Sequence, residues 1–201
     1  MKALILIDLQ NDFCPGGMSE VPGGGQAVAV ANRLMDRFDL VVSVRDWHPG
    51  NHTSFAANHL WRRPGQTIVT HGIPQLLWPI HCVQNSFGAE LAIALRQEKI
   101  HRHFFKGGDP EIDSYGGFLD NARKNESGLA SFLHEKQVEE LYLCGLPLEF
   151  SVRNTALDAL ALGFKTWVLS DACMPLHQAD GGKILEEIVS HGGIPIRSDE
   201  I

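Results

Sequence analysis

The chain has 201 residues, of which 17 are Lys or Arg and 24 are Asp or Glu, so its formal net charge is −7. Hydrophobic residues make up 44% and charged residues 20%, which are ordinary values for a globular protein and exclude a disordered or fibrous chain. The acidic balance argues against nucleic acid or an anionic membrane as the main partner.

The length and the cysteines indicate one domain over residues 1–201 in a reducing cytoplasm. Four cysteines lie singly along the chain, too few and too scattered for a disulfide framework, and no CxxC pair suggests structural zinc. No apolar segment approaches the roughly 18 residues that span a bilayer. The apolar opening at residues 3–7 ends at Asp8, too early for the core of a signal peptide.

The first part of the chain predicts a strand, a helix and a second strand, followed by a long excursion. The apolar run 2–7 is typical of a strand buried on both faces. Apolar residues at helical spacing predict a helix over 27–38, and residues 39–45 form the second strand. The segment from 47 to about 87 is rich in Pro, Gly, His and Trp. Because that is long for a structureless loop, we expect the excursion to have a function.

Helices and strands then alternate to the end of the chain. The predicted elements are a helix over 89–96, a strand over 101–105, a helix over 127–136, a strand over 140–144, a helix over 149–162, a strand over 165–169, a helix over 179–191 and a strand over 194–197. Strands that alternate with helices predict a parallel sheet covered on both faces by right-handed crossovers. The expected architecture is a single three-layer α/β/α domain.

Charged residues follow several of the predicted strands at the point where each ends. They are Asp8, Asp46, Lys106 and Asp171, and one further strand ends in a turn at Gly145. Ligands of parallel sheets bind beyond the carboxyl ends of the strands. We therefore expect these residues to gather on one edge of the sheet, and we predict that this edge is the active one.

A candidate metal site follows the second strand. Asp46 and His48 are two residues apart on an extended segment, so their side chains point to the same side. The excursion supplies His52 and His81 as further ligands. Two imidazoles and a carboxylate suit Zn, Fe or Mn and leave positions open for water or substrate. The alternative is a histidine-rich loop at the surface.

Two further groups are candidates for catalysis. Asp8 follows an apolar strand, so its carboxylate is expected to be partly buried and to need a partner, which Lys106 can supply. The two residues could form a structural ion pair, or Asp8 could act as a general base beside the lysine. Ser151 lies in the first turn of the helix over 149–162, where a nucleophile is close to the positive end of the helix. A serine at that position more commonly satisfies backbone donors.

Three aromatic residues lie in the same loops as these polar groups. Phe13, Trp78 and Tyr115 could enclose a flat ring between them. Aromatic side chains in loops also form small satellite cores, so this observation alone does not identify a ligand.

Five segments of the sequence together resemble one family. In chain order they read IDLQNDFCPGG, RDWHPGNHTSF, LWPIHCVQNSFGAEL, FFKGGDPEIDSYGGF and RNTALDALALGFKTWVLSDAC. They resemble the nicotinamidases, also called pyrazinamidases, of the isochorismatase-like hydrolase family. The resemblance runs from Ala3 to about Ile196, and five segments in register make a chance match very improbable.

The resemblance implies a six-stranded parallel sheet and hydrolysis of nicotinamide to nicotinate and ammonia in the cytoplasm, as part of NAD salvage and pyridine nucleotide metabolism. The family uses an Asp, a Lys and a Cys, whose positions fall on Asp8, Lys106 and Ser151. Its metal, often Zn, Fe or Mn, orients the pyridine nitrogen of the substrate. The implied partner is a small heteroaromatic carboxamide, and the resemblance leaves room for a homo-oligomer.

The resemblance also assigns the metal-binding and substrate-binding residues by position. The metal ligands fall on Asp46, His48 and His81, with His52 a ligand in some members of the family. The positions that surround the substrate fall on Phe13, Trp78, Tyr115, Leu146 and Pro147.

The sequence departs from the family where the acyl transfer would occur. Members read roughly Gly-(Val/Ile/Leu)-Ala-Thr-Asp-x-Cys at this junction, whereas the last four named positions here are Pro147, Leu148, Glu149 and Ser151. An exchange of cysteine for serine made to trap a substrate would alter position 151 alone. We therefore interpret the chain as a natural, divergent homologue.

Two of these differences predict weak or absent amidase activity. A serine hydroxyl ionises far less readily than a thiol, and Asp8, held ionised by Lys106, would be a weak base for it. Pro147 has no N–H, and the family uses a backbone N–H at this position to stabilise the oxyanion. Losing one such donor typically slows the reaction about 10²–10³-fold. A cis peptide bond is accessible to Leu146–Pro147, so the turn could keep its shape.

Four alternatives remain open at this point. The chain is a working amide hydrolase with Ser151 or a metal-bound water as nucleophile, a non-catalytic binder of nicotinamide or a similar heteroaromatic, a hydrolase of another carboxamide or of isochorismate, or a non-haem iron oxygenase. The strings RDWHP and HCVQ favour the nicotinamidase branch over isochorismate hydrolysis, which does not need this metal site. The order Asp-x-His and the other matches argue against the oxygenase.

Overall fold

Eight β-strands and four α-helices make up the regular structure of the chain. The computed structural model describes residues 1–201. The elements are β1 (Lys2–Ile7), α1 (Gly24–Leu34), β2 (Leu40–Asp46), β3 (Thr67–Thr70), β4 (Ile73–Leu76), β5 (Arg102–Lys106), α2 (Leu129–Glu135), β6 (Glu140–Gly145), α3 (Arg153–Ala161), β7 (Lys165–Cys173), α4 (Gly181–Ser190) and β8 (Ile194–Ile196).

Six of the strands form one parallel sheet in the order β5-β2-β1-β6-β7-β8. The side chains of β1 from Ala3 to Ile7 are all buried, although successive side chains of a strand point to opposite faces. Both faces of the sheet are therefore covered, as expected of a parallel sheet. The predicted α/β/α architecture and its six-stranded parallel sheet are confirmed.

The sheet order brings the strand ends together at one edge. β5, β2, β1 and β6 are neighbours, and Asp46 pairs with Lys106 in the register of β2 and β5. Asp8 follows β1 with a positive φ of 51°, and its N–H donates to the carbonyl of Val44 at 2.9 Å. Gly145 pairs with the last residue of β1. Four of the five predicted strand-end residues therefore lie side by side.

Asp171, the fifth predicted strand-end residue, takes a different place. The last long strand extends to Cys173, so Asp171 lies within β7 and not beyond its end. Its carboxylate accepts hydrogen bonds from the N–H and the hydroxyl of Ser198, at 2.9 and 2.5 Å. Asp171 therefore anchors the C-terminal segment and takes no part in the cluster at the active edge.

The predicted helix over 89–96 is wrong. The segment is irregular, with a short 3-10 turn at Phe87–Ala89. The N–H of Ala92 donates to the carbonyl of Leu9 at 2.8 Å, and the N–H of Arg96 donates to Oδ1 of Asn32 at 2.9 Å. These bonds to distant parts of the chain replace the local bonds of a helix. The apolar spacing that suggested a helix reflects packing against two other elements.

The excursion at 47–87 contains the remaining regular structure. β3 and β4 form a two-stranded antiparallel hairpin within it. The hairpin is followed by Trp78, whose backbone bridges to Phe55. None of the helices combines the length and the apolar character that a membrane span requires.

Gly145 provides a test of the close contact between β1 and β6. A Cβ at this position would lie 2.2 Å from the backbone oxygen of Ile7. Gly145→Ala would force the two strands apart, and we expect it to lower the free energy of unfolding by about 1–3 kcal/mol, as overpacking does. Urea denaturation followed by circular dichroism measures this loss.

Gly182→Ala in α4 is the matched control. A Cβ at Gly182 meets nothing within 4 Å, and alanine has a higher helix propensity than glycine. We expect this variant to be as stable as the parent or slightly more stable. Equal losses in the two variants would contradict the close approach of β1 and β6.

Candidate active site

A cavity of about 250 Å³ opens at the edge where the strand ends meet. Four aromatic rings and several buried polar groups line it. The rings are those of Phe13, Trp78, Tyr115 and Phe150, and the polar residues include Asp46, His48, His81, Asp113, Ser114 and Ser151. A largely apolar cavity with a few converging polar groups is typical of a site for a small organic ligand.

The ammonium group of Lys106 is the centre of the polar cluster. Nζ lies 2.9 Å from Oδ2 of Asp8 and donates a hydrogen bond to Oδ1 of Asp46. It also donates to the carbonyl of Ser114 at 3.3 Å and to the hydroxyl of Ser151 at 3.4 Å. The three residues predicted for catalysis, Asp8, Lys106 and Ser151, are all buried and in contact through this one group.

The cluster contains two carboxylates and one ammonium, and this imbalance sets their ionisation. Burial and the Asp46 carboxylate raise the pKa of Asp8 to about 6, and the Lys106 ammonium offsets only part of this effect. Burial would also raise the pKa of Asp46, but Lys106 and His48 hold it well below its usual range. Burial would lower the pKa of Lys106, but the two carboxylates raise it. Asp8 is therefore a stronger base than the sequence led us to expect.

Asp46, His48 and His81 bring one potential ligand atom each into a group that could hold a metal ion. These atoms all lie within 4.8 Å of one another. Nδ1 of His48 donates to the carbonyl of Gly107 and Nδ1 of His81 donates to that of Pro79, each at 2.9 Å. In the neutral rings this leaves the lone pairs on Nε2, which lie 3.6 and 3.7 Å from Oδ2 of Asp46. Such hydrogen bonds orient metal-binding histidines, so the donor set fits a divalent transition metal.

His52 is buried beside this group but is arranged differently. Its Nδ1 accepts a hydrogen bond from the N–H of Ser54 at 3.2 Å, which places the proton of the neutral ring on Nε2. That Nε2 has no hydrogen-bond partner. Burial and the adjacent His48 ring lower the pKa of His52 to about 4, so the ring is neutral near pH 7. Its ligand atom groups with those of His48 and Asp113, and not with those of Asp46 and His81.

Four of the five residues predicted to surround a substrate line the cavity, namely Phe13, Trp78, Tyr115 and Pro147. Leu146 does not, because its side chain is fully buried in the hydrophobic core and its N–H donates to the carbonyl of Ile7 at 3.0 Å. The sequence could not indicate this outcome, because an apolar residue after a buried strand is compatible with a position in the core or with a contact to the substrate. The structure gives Leu146 a packing role in place of the predicted substrate contact.

The sequence reasoning assigned no role to nine residues that line the cavity, among them Asp113, Ser114, Phe150 and Leu176. Asp113 and Ser114 lie in the segment that resembles the family, so the signal was present although no role was assigned to them. The ring of Phe150 stands perpendicular to that of Trp78, with centroids 4.8 Å apart, and also contacts Tyr115. Its place next to Ser151 in the sequence could have identified it.

The turn that carries Ser151 supplies fewer backbone donors than its shape suggests. The Leu146–Pro147 peptide bond is cis, the isomer that the sequence had shown to be accessible. A single π-helical turn, Leu148–Val152, then leads into α3. Pro147 has no N–H, and the N–H of Leu148 donates to the carbonyl of Met174 at 2.9 Å. Neither position therefore offers a free donor to the cavity.

Comparisons with known proteins agree with the resemblance seen in the sequence. A family model described as "Isochorismatase domain" matches residues 2–200. A curated nicotinamidase of Escherichia coli is 47% identical over 178 residues, which cover 86% of this chain and 82% of that protein.

The solved structures that are similar to this chain include one with a bound inhibitor and one with a bound metal. A yeast nicotinamidase bound to the inhibitor nicotinaldehyde superposes with a TM-score of 0.93 and 33% identity, over 98% of this chain and 100% of that one. A pyrazinamidase of Pyrococcus horikoshii in complex with zinc superposes with a TM-score of 0.79 and 35% identity, over 98% of both chains.

Gly107 provides a test of how the imidazole of His48 is held. A Cβ at Gly107 would lie 2.3 Å from Cε1 of His48, and its φ of +66° also disfavours a side chain. We expect Gly107→Ala to displace the ring and to weaken zinc affinity about 10–100-fold, as the loss of a supporting contact to a metal ligand does. Competition with a zinc-binding dye measures the affinity.

Gly108→Ala is the control, since a Cβ there meets only the backbone oxygen of Trp47, at 3.9 Å. We expect this variant to bind zinc as the parent does. Equal affinities for all three proteins would show that the His48 ring is not held as described.

Proposed function

The chain belongs to the isochorismatase family and is nicotinamidase-like, and on this basis we propose that its cavity binds nicotinamide or a related heteroaromatic carboxamide and hydrolyses it slowly to the carboxylate and ammonia. One observation carries the proposal: Lys106 contacts both Asp8 and Ser151, and Ser151 lines a cavity with aromatic walls, in a chain that is 47% identical to a nicotinamidase. The proposal includes a role in nicotinamide recycling within pyridine nucleotide metabolism in the cytoplasm.

The proposed reaction uses the three contacting residues in two stages. Oγ of Ser151 attacks the carboxamide carbon while its proton passes to Asp8, and the C–N bond breaks as Asp8 returns that proton to the departing ammonia. Water then attacks the acyl-serine, which releases the carboxylate and restores the hydroxyl. A carboxyl group with a pKa of about 6 is suited to both proton transfers near neutral pH. Lys106 stays charged and holds Asp8 and Ser151 in place.

Asp46, His48 and His81 would hold a divalent metal, with Zn, Fe and Mn as candidates. When bound, the metal would supply a Lewis-acidic centre that orients the ring nitrogen of the ligand, directly or through water. The rings of Phe13, Trp78, Tyr115 and Phe150 would enclose the ligand and exclude water. Phe13 also packs edge-on against His81, with centroids 5.4 Å apart, so the metal site and the ring site share a wall.

Slow turnover follows from two features of the turn at Ser151. A serine hydroxyl is a weaker nucleophile than a cysteine thiolate when its base is a carboxylate. The missing N–H at Pro147 leaves the developing oxyanion with one donor fewer and therefore with less stabilisation. Both defects act on the transition state and leave the cavity that binds the ground state intact.

A non-catalytic binder is the second candidate, and the same turn favours it. If hydrolysis is slow enough, the protein retains its ligand and acts as a sensor or a carrier of heteroaromatic carboxamides. Calorimetry that finds micromolar binding of nicotinamide without ammonia release would favour this candidate over a working hydrolase.

The turn can be tested by restoring the missing groups. We expect the parent chain to release ammonia from nicotinamide slowly and Ser151→Cys to be faster. Adding Pro147→Ala to Ser151→Cys restores a backbone donor, and we expect a further increase of about 10²–10³-fold in kcat. A coupled ammonia assay under steady-state conditions measures each rate.

Asp8→Asn in the Ser151→Cys background is the control, and we expect it to remove the gained activity because the proton acceptor is lost. Robust turnover by the parent chain would refute the proposed impairment. If Ser151→Ala then abolished that turnover, Ser151 would be an effective nucleophile as it stands.

The metal site can be tested through binding alone. We expect His81→Ala to lower the zinc content of the purified protein and to weaken nicotinate binding, because one of the three ligands is lost. His71→Ala is the control, since His71 is exposed on the β3–β4 hairpin and contacts only Glu111. Metal analysis and calorimetry measure the two effects. A parent protein that binds no zinc, iron or manganese would contradict this part of the proposal.

A further inference from the structure

Glu149 lies two residues before Ser151, yet it does not line the cavity. Both oxygens of its carboxylate are engaged by a distant segment. Oε2 accepts a hydrogen bond from the N–H of Leu176 and Oε1 accepts one from the N–H of His177, each at 2.8 Å. Bonds from N–H groups to an ionised carboxylate are roughly twice as strong as those between neutral groups.

The segment that Glu149 holds, residues 174–177, is the first part of the connection between β7 and α4. At its start the N–H of Leu148 donates to the carbonyl of Met174 at 2.9 Å, and the N–H of Met174 donates to the carbonyl of Gly145 at 3.3 Å. Beyond Met174, the hydrogen bonds that join the segment to the turn around Ser151 are the two that Glu149 accepts. The backbone bonds therefore fix one end of the segment, and Glu149 fixes the other.

The position of this segment matters because Leu176 lines the cavity together with Pro147, Phe150 and Ser151. Leu176 packs against the edge of the hydrophobic core but is only partly buried, so its place in the wall depends on the bonds of its backbone as well as on packing. If the bonds to Glu149 were lost, water could satisfy both N–H groups and the segment could move away from the cavity. The wall at Leu176 would then open.

We propose that Glu149 is a positioning residue that holds Leu176 in the wall of the cavity and thereby sets the fit of the aromatic ring of the ligand. This role rests on the proposed function, since it assumes that the cavity binds a heteroaromatic ring. Glu149 itself neither lines the cavity nor bonds to the cluster around Lys106. Its effect on the ligand therefore passes through Leu176, which lines the cavity, and we expect it to change ring binding and not the acyl transfer.

Glu149→Gln tests the tether while keeping the size of the side chain. The amide presents an NH₂ group where the carboxylate accepted the second N–H, so at least one bond is lost. We expect amide hydrogen exchange at Leu176 and His177 to be at least about 10-fold faster, as the loss of a bond to a charged group predicts. We expect the Kd for nicotinate, measured by calorimetry on the zinc-loaded protein, to rise about 3- to 10-fold.

Glu187→Gln is the matched control. Glu187 also has both carboxylate oxygens engaged, in its case by the guanidinium of Arg153, and it lies on α4 away from the cavity. We expect this variant to leave the Kd for nicotinate and the exchange at Leu176 and His177 unchanged. An equal weakening in both variants would overturn the specific role of Glu149.

A double variant separates action through Leu176 from general loosening. Leu176→Ala removes the wall directly, and we expect a similar rise in the Kd for nicotinate. Adding Glu149→Gln to Leu176→Ala then has no further effect, because the residue being positioned is gone. Multiplicative effects of the two substitutions, or a Kd for Glu149→Gln equal to that of the parent, would overturn the proposal. A parent protein that binds no nicotinate would instead overturn the proposed function.

Discussion

The site depends on one buried ammonium group between two buried carboxylates. Lys106 contacts Asp8, Asp46 and Ser151 from the end of β5, and each of these residues comes from a different strand or turn. Two carboxylates and one ammonium leave an excess of negative charge, and removing the ammonium would cost several kcal/mol in a buried cluster of this kind. The excess lies at Asp46, which faces the Nε2 atoms of two histidines. Burial and the Asp46 carboxylate raise the pKa of Asp8, and the ionised Asp46 makes the neighbouring position suitable for a cation.

The turn after β6 is altered while this charged cluster is intact. Pro147 lacks an N–H, Leu148 uses its own N–H to hold Met174, and Ser151 provides a hydroxyl where the family uses a thiol. In the proposed function, the missing N–H at Pro147 and the hydroxyl of Ser151 weaken interactions that form only as the oxyanion develops, whereas the aromatic walls and the metal-ligand group serve binding. The proposed function therefore separates recognition of a heteroaromatic ring from its hydrolysis, because the two depend on different residues of the same cavity.

Carboxylates hold the loops of the cavity together as well as serving its chemistry. Asp12 accepts hydrogen bonds from the N–H groups of Met18 and Cys82, at 3.3 and 2.7 Å, and so joins one wall to the loop of the metal-ligand group. Glu149 does the same for the wall at Leu176. These loops are joined by isolated backbone bridges, such as the one between Phe55 and Trp78, and bonds from N–H groups to carboxylates add to them. Side chains that do not line the cavity, such as those of Asp12 and Glu149, therefore help to hold its walls in place.

The sequence predicts the parallel sheet and most of the cluster around Lys106 correctly. An apolar strand that ends in a charged residue, repeated along the chain, places Asp8, Asp46 and Lys106 at one edge, because parallel strands share their carboxyl ends. Only the tertiary structure decided that residues 89–96 are not helical and that Leu146 packs in the core. It also decided how strong a base Asp8 is, since a pKa depends on burial and on charges from other strands. Local spacing indicates which secondary structure and which degree of burial a residue favours. The outcomes named here depend instead on contacts between segments that are far apart in the chain.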